Sequence, residues 1–150
     1  MPLRCSIATQ DRLLFEGDVD AVIAPGVEGE MGILPKHTPL LASLGLGLLR
    51  VRSQGQEQVF TIAGGILEVQ SDVVTVLADS GEDVVEIDIA RAEKARQRAE
   101  ELLKQPQKVP PDQYAAIEAA LLRSKLRLEA ARRFQQPGRP RIRIDSSQGE

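Results

Sequence analysis

The stretch Val85-Glu86-Ile87-Asp88-Ile89-Ala90-Arg91-Ala92 divides this chain into two architectures. Downstream of it runs a segment rich in Ala, Glu, Lys and Arg, and Asp88 stands where a carboxylate can accept the free backbone N–H groups of a helix's first turn. Upstream the chain is punctuated by glycine. Ten of its 12 glycines lie between Gly17 and Gly81, and none lies between Glu82 and Pro137. Glycine marks turns and weakens helices, so the break in its distribution is a break in fold. Charge divides at the same place: residues 1–85 carry a net −7, residues 86–134 a net +3 and residues 135–150 a net +1.

Residues 1–85 read as short strands. Leu3, Cys5 and Ile7 alternate with Arg4 and Ser6, Leu49 and Val51 with Arg50 and Arg52, and Leu67 and Val69 with Glu68 and Gln70. Val73–Leu77 is a β-branched run. Turn signals at Gln10-Asp11, Pro25-Gly26, Gly55, Gly64-Gly65 and Ser71-Asp72 separate them. Regularly spaced short strands predict an antiparallel β-sandwich or flattened barrel.

Residues 86–134 read as two helices, from about Asp88 to Lys104 and from about Asp112 to Phe134. On the second, Ile117, Leu121, Leu128 and Ala131 follow a heptad, and Leu122 and Leu126 widen the stripe. Pro106, Pro110 and Pro111 stop one helix and start the next, giving an antiparallel hairpin. A short, Ala-rich hairpin buries little by itself and is expected to be stable only when docked. Arg91 and Arg98, seven apart, share a helix face, as do Arg123 and Arg127, four apart. The residues three and four positions from Arg123 are Ala119, Ala120, Leu126 and Arg127, none acidic, and Arg98 has Glu101 on its C-terminal side, the weaker orientation. With the turn centred near residue 108, facing positions sum to about 216, which sets Asp88 and Arg91 level with about residues 128 and 125 and Arg98 roughly 10 Å further along. Guanidinium groups gathered in this way call for an anion or for carboxylates supplied from elsewhere; a solvated Arg-rich surface is the plainer reading of the same spacing.

Composition excludes several functions. Hydrophobic residues make up 42% and charged residues 27%, so most of the chain folds. A net charge of −3 argues against nucleic acid, and Phe15, Phe60, Tyr114 and Phe134 are too few for a base-stacking platform. The lone Cys5, in an alternating apolar run, reads as a buried hydrophobe rather than a reactive thiol. One Cys and one His leave a metal site almost without ligands. No stretch approaches the roughly 20 apolar residues of a membrane span, and no signal-peptide core precedes Asp11, so a cytosolic protein without membrane insertion is expected. A free-standing enzyme is disfavoured, since His37 lacks a nucleophile or second base, and its simplest role is to hold a turn by a hydrogen bond.

Three motifs in order carry a family resemblance. They are Gly29-Glu30-Met31-Gly32-Ile33-Leu34-Pro35-Lys36-His37-Thr38-Pro39-Leu40, then Gly64-Gly65-Ile66-Leu67-Glu68-Val69 with Val73 and Thr75-Val76-Leu77-Ala78-Asp79, then Ile87-Asp88 followed by Arg91-Ala92. Over residues 1–134 the chain strongly resembles the epsilon subunit of the rotary F-type ATP synthase. It departs from the common pattern at Met31 and at Lys36, where glycine is frequent, so the local turn is expected to differ slightly.

The resemblance implies a β-sandwich of residues 1–85, binding the gamma subunit and the ring of c subunits, followed by a regulatory hairpin of residues 86–134. It implies a non-catalytic central-stalk subunit of a proton-translocating synthase, peripheral on the cytoplasmic face of a bacterial inner membrane. Glu28, Gly29, Glu30, Met31, Gly32 and His37 would then face the c-ring on a tight loop. The hairpin would inhibit ATP hydrolysis when extended toward the alpha/beta head, whose acidic surface suits the basic second helix. In some bacterial relatives ATP binds the folded hairpin; their motif is matched by Ile87, Asp88, Arg91 and Ala92, and their further contacts by Glu82, Arg98, Arg123 and Arg127. No cofactor is required, and ATP would be a regulatory ligand. It would be a signal rather than a substrate, because the chain has no Gly-rich phosphate loop with Lys and Ser/Thr. A free-standing nucleotide-binding regulator is the alternative. The tail, residues 135–150, lies beyond the usual family end; Arg139, Arg141 and Arg143 alternate there with Pro140, Ile142 and Ile144, and disorder is expected.

Overall fold

Alternating burial along Leu3–Ala8 (β1) sets the pattern of the first half: Leu3, Cys5 and Ile7 point inward while Arg4 and Ser6 face outward. The computed structural model describes residues 2–135, so the alternating Arg and Ile of the tail lie outside the described residues. Seven further strands follow: Leu13–Val19 (β2), Ala21–Gly26 (β3), Gly29–Ile33 (β4), Leu40–Ser53 (β5), Gln56–Gln70 (β6), Val73–Ala78 (β7) and Gly81–Asp83 (β8). They run β2-β1-β7-β6-β5-β3-β4, with β8 added beside β6. β5 and β6 are 14 and 15 residues long, enough to serve two layers. One layer holds β2, β1, β7 and the C-terminal part of β6; the other holds β4, β3, the C-terminal part of β5, the N-terminal part of β6 and β8. Phe15 and Phe60 meet edge to face between the layers, ring centroids 6.1 Å apart, inside a core that includes Leu3, Ile7, Val22, Leu49 and Val76. Burial pushes the Cys5 thiol up to about 12, so it stays protonated and inert.

The β-sandwich expectation holds, with three differences of detail. The pair β1–β7 is parallel, Arg4 opposite Val73, because these strands are brought together by the whole intervening fold rather than by a turn. Pro25 and Gly26 end β3, and the turn itself is Val27-Glu28. Gly64 and Gly65 are not a turn. They lie within β6 at positive φ, 81° and 131°, where β6 changes partner from β8 to β7.

The second unit begins at Val84. A 3₁₀ turn, Val84–Glu86, leads to Asp88, which caps α1 (Ile89–Leu103) by accepting from the Arg91 N–H at 3.1 Å. Two more 3₁₀ turns, Pro106–Lys108 and Pro111–Gln113, lead into α2 (Tyr114–Phe134). The helices are antiparallel: Glu93, near the start of α1, pairs with Arg132, near the end of α2, at 3.4 Å. Their register differs from equal arms about residue 108, which would place Glu93 level with residue 123. The linker does not reverse at once, because Val109 and Pro110 are extended between the two 3₁₀ turns. α2 therefore starts beyond the end of α1: Tyr114–Ala116 are exposed, and the buried positions of α2 begin at Ser124.

Candidate functional site

Two surfaces hold the candidate residues, one on each unit. On the sandwich, the segment expected to form a single loop is a strand with a turn at each end. Glu28 sits on the β3–β4 turn; Gly29, Glu30, Met31 and Gly32 belong to β4. Strand formation follows from alternation: Met31 and Ile33 turn toward the core while Glu30 and Gly32 stay exposed. Glu30 lies 3.7 Å from Arg50. A shallow depression of about 460 Å³ is lined here by Val27, Glu28, Met31 and Leu41 among others. Val27, Leu34 and Leu41 are all more than 60% exposed, so this surface of the sandwich presents both apolar and acidic groups.

The second turn, after β4, holds His37. Its Nδ1 donates to the Thr38 carbonyl at 2.7 Å, the turn-holding role expected of a histidine without a catalytic neighbour. Lys36 takes the left-handed conformation that glycine favours, φ 66°, so the lysine is accommodated in the turn. Its N–H donates to the Asp72 carboxylate at 2.7 Å, from a β6–β7 turn whose Ser71 and Asp72 are themselves left-handed. Lys36→Gly is expected to stabilise the sandwich by about 0.5–1 kcal/mol, and Lys36→Val to destabilise it by about 1–2 kcal/mol, by urea denaturation of the whole chain.

On the hairpin, Ala92 and Ala99 mark the line along which α1 packs, and Ser124, Leu128 and Ala131 the line on α2. At about 100° per residue, Arg91 and Arg98 fall to one side of the α1 line, and Glu93, Arg96 and Glu100 to the other. Arg123 and Arg127 fall to one side of the α2 line, and Lys125 and Arg132 to the other. The Glu93–Arg132 ion pair fixes which sides coincide. Arg91, Arg98, Arg123 and Arg127 therefore share one edge of the hairpin. Arg98 lies opposite the Ser124–Arg127 turn, and Arg91 about 10 Å nearer the base at 1.5 Å per residue, which reverses the expected placing of the two. Arg91, Arg98 and Arg123 are exposed and Arg127 is half-buried. Ile87 and Ala92 are buried, and Asp88 is committed to its helix cap. Glu82 belongs to the other unit, in β8 opposite Thr61.

The opposite edge holds residues that spacing alone had not singled out. Arg96 donates to Glu93 and, at 2.8 Å, to Glu100. The hydrogen bond from Arg96, with the further charges of Arg96 and Arg132, holds the Glu93 carboxyl below its usual range against the opposing effect of desolvation; hydrogen bonds to Glu93 and Glu100 push the Arg96 guanidinium up. At the base, the Gln135 side-chain amide donates to the Val84 and Ile87 carbonyls at 2.9 and 2.8 Å. The three- and four-residue spacing of Glu93, Arg96 and Glu100 was the available signal; the partner across the hairpin left none. Among the described residues no helix is long and apolar enough to cross a membrane.

Comparison with known proteins agrees with this division. Residues 2–84 match the family model described as ATP synthase, Delta/Epsilon chain, beta-sandwich domain, and residues 86–132 match its long alpha-helix domain. An ATP synthase epsilon chain of Dehalococcoides mccartyi is 46% identical over 130 residues, covering 86% of this chain and 91% of that one. That of Herpetosiphon aurantiacus is 42% identical, covering 88% and 96%. Among solved structures, a chain of the Euglena gracilis mitochondrial ATP synthase OSCP/F1/c-ring assembly superposes with a TM-score of 0.72 at 28% identity, covering 87% of this chain and 81% of that one. A chain from the Tetrahymena thermophila mitochondrial ATP synthase central stalk and c-ring has a TM-score of 0.56 at 16% identity, covering 87% and 97%, a likeness of fold alone.

Proposed function

The chain belongs to the delta/epsilon family of ATP synthase subunits, as a non-catalytic, epsilon-type chain, and from that premise we propose that it is the central-stalk subunit joining gamma to the c-ring of a proton-translocating synthase, with a hairpin that restrains ATP hydrolysis. Its place is peripheral, on the cytoplasmic face of a bacterial inner membrane. The observation that carries the stalk role is the likeness to a chain of an F1/c-ring assembly over 87% of the sequence. The end of the sandwich around Glu28, Glu30 and His37, with Val27, Leu34 and Leu41 exposed beside them, suits docking on the c-ring. Co-expression with a gamma subunit is the test: a complex that survives gel filtration is expected, and a chain that never binds gamma overturns the stalk role in favour of a free-standing regulator.

The regulatory reading adds ATP as a ligand of the closed hairpin. Its support is the edge shared by Arg91, Arg98, Arg123 and Arg127, a run of guanidinium groups suited to phosphates. A ligand that binds only the closed form stabilises it by about 2.7 kcal/mol at a hundredfold excess over Kd, enough to bias a marginal hairpin. Loss of ATP removes that stabilisation and raises the share of hairpins extended toward the alpha/beta head, the form that blocks hydrolytic rotation. Titration calorimetry is expected to show ATP binding that weakens about tenfold or more in Arg123→Ala and in Arg127→Ala, the loss of a charge-assisted hydrogen bond each. Absence of binding at millimolar ATP removes the sensor and leaves the stalk role intact.

A further inference from the structure

The hairpin edge facing away from the four arginines has a groove of about 540 Å³ between the helices, lined by Arg96, Lys125, Leu128, Glu129, Arg132 and Arg133. Four cations around a cavity first suggest a second anion site. The neighbouring carboxylates decide against it. Glu93 binds Arg96 and, across the hairpin, Arg132; Glu100 binds Arg96 as well. With Glu129 in the wall, three carboxylates answer the four cations, so little net charge is left to attract a ligand. The groups are arranged to hold each other, and the pairing that matters is the one between helices.

Gln135 completes the arrangement from the base. It follows the last residue of α2, and its amide binds the carbonyls of Val84 and Ile87, which precede α1. Both carbonyls lie outside the α1 helix, and that of Val84 also accepts the Ile87 N–H of the 3₁₀ turn at 3.3 Å. One amide thus joins the two ends of the hairpin unit. Glu93 and Arg132 repeat the connection about one turn further along.

We propose that Gln135, at the base, and the Glu93–Arg132 pair, on the edge opposite the arginines, form a latch that keeps the hairpin closed when no ligand is bound. The helices cannot separate without breaking both connections, whereas the Arg96–Glu100 pair lies within α1 and survives opening. Ligand on the arginine edge and the latch then act additively on one equilibrium. The inference rests on the reading that the hairpin opens in use, but it concerns the isolated chain and needs neither nucleotide nor partner.

The test is a distance measurement by pulsed electron resonance on the full chain without ATP, with spin labels on cysteines replacing the exposed Ala90 and Leu122. Cys5, buried, stays unlabelled. The double variant Glu93→Gln, Gln135→Ala is expected to raise the population with separated helices about tenfold, on the scale of two lost hydrogen bonds and a weak exposed ion pair. Glu101→Gln, exposed on the same helix, is the control and should leave the distances unchanged. Amide exchange is followed in parallel. Separated helices that keep their internal protection support the latch; unaltered distances in the double variant, or melting of α2 with no separated helical population, overturn it. Because gamma is absent from the sample, failure of the latch leaves the stalk role standing, and failure to bind gamma leaves the latch standing.

Discussion

Gly65→Ala is expected to destabilise the sandwich by about 3–5 kcal/mol, the combined cost of a strained backbone and an overpacked contact. At φ 131° the backbone is in a region that residues with a Cβ rarely enter. The added carbon would stand 2.3 Å from the Leu77 carbonyl oxygen and 2.7 Å from the Ala78 Cα. Both are backbone atoms of β7, directly opposite Gly65 in the ladder, so no side chain can swing aside. Relief requires β6 and β7 to part where β6 passes from one layer to the other. Gly55→Ala is the matched comparison: φ there is 78°, but nothing lies within 4 Å of the added carbon. It should cost only about 1 kcal/mol of backbone strain. Urea denaturation followed by circular dichroism compares the two, and equal midpoints would show that the close approach to β7 carries no cost.

Phe60→Ala is the second large effect, about 3–5 kcal/mol. Phe60 is fully buried and meets Phe15 edge to face, so truncation leaves a cavity lined by side chains from both layers. A sandwich of about 80 residues has only some 5–10 kcal/mol to lose. Phe60→Leu keeps most of the volume and should cost about 1.5 kcal/mol. Phe60 also sits opposite Asp83 in the β6–β8 ladder. Asp83 is buried with Gln58, whose amide donates to it at 2.7 Å, and these interactions anchor the last strand before the chain enters the hairpin unit. Amide exchange in Phe60→Ala should therefore show β8 losing protection along with β6, and an unchanged β8 would separate the anchor from the aromatic core.

Much of this fold was legible in the sequence because its signals are local. The alternation of Leu3, Cys5 and Ile7, the β-branched run at Val73 and the cap at Asp88 each specify an element by themselves. Gly64-Gly65 misled because a glycine pair serves a tight turn and a strand crossing between layers equally well; what distinguishes them is the nearness of β7, which no local signal records. The parallel partner of β1 was hidden for the same reason. On the hairpin, the shared faces of Arg91 with Arg98 and of Arg123 with Arg127 follow from helical period and needed no structure. Their longitudinal register did need it, since three prolines mark a reversal without saying how far the chain travels first. Arg132 became visible as a partner of Glu93 only once that register was set.

The bond from the Lys36 N–H to the Asp72 carboxylate joins residues 36 positions apart. The carbonyl of the same Asp72 accepts from the Arg4 N–H at 2.9 Å, so one residue gathers the first strand, the β6–β7 turn and the turn that carries His37. The His37 turn has local bonds of its own, from the His37 N–H to the Leu34 carbonyl among them, but a nascent chain cannot add the tie to Asp72 until residue 72 has been made. The end of the sandwich proposed to dock on the c-ring thus gains this tie only when most of the sandwich has been made, and a docking-ready surface would report that the sandwich is finished.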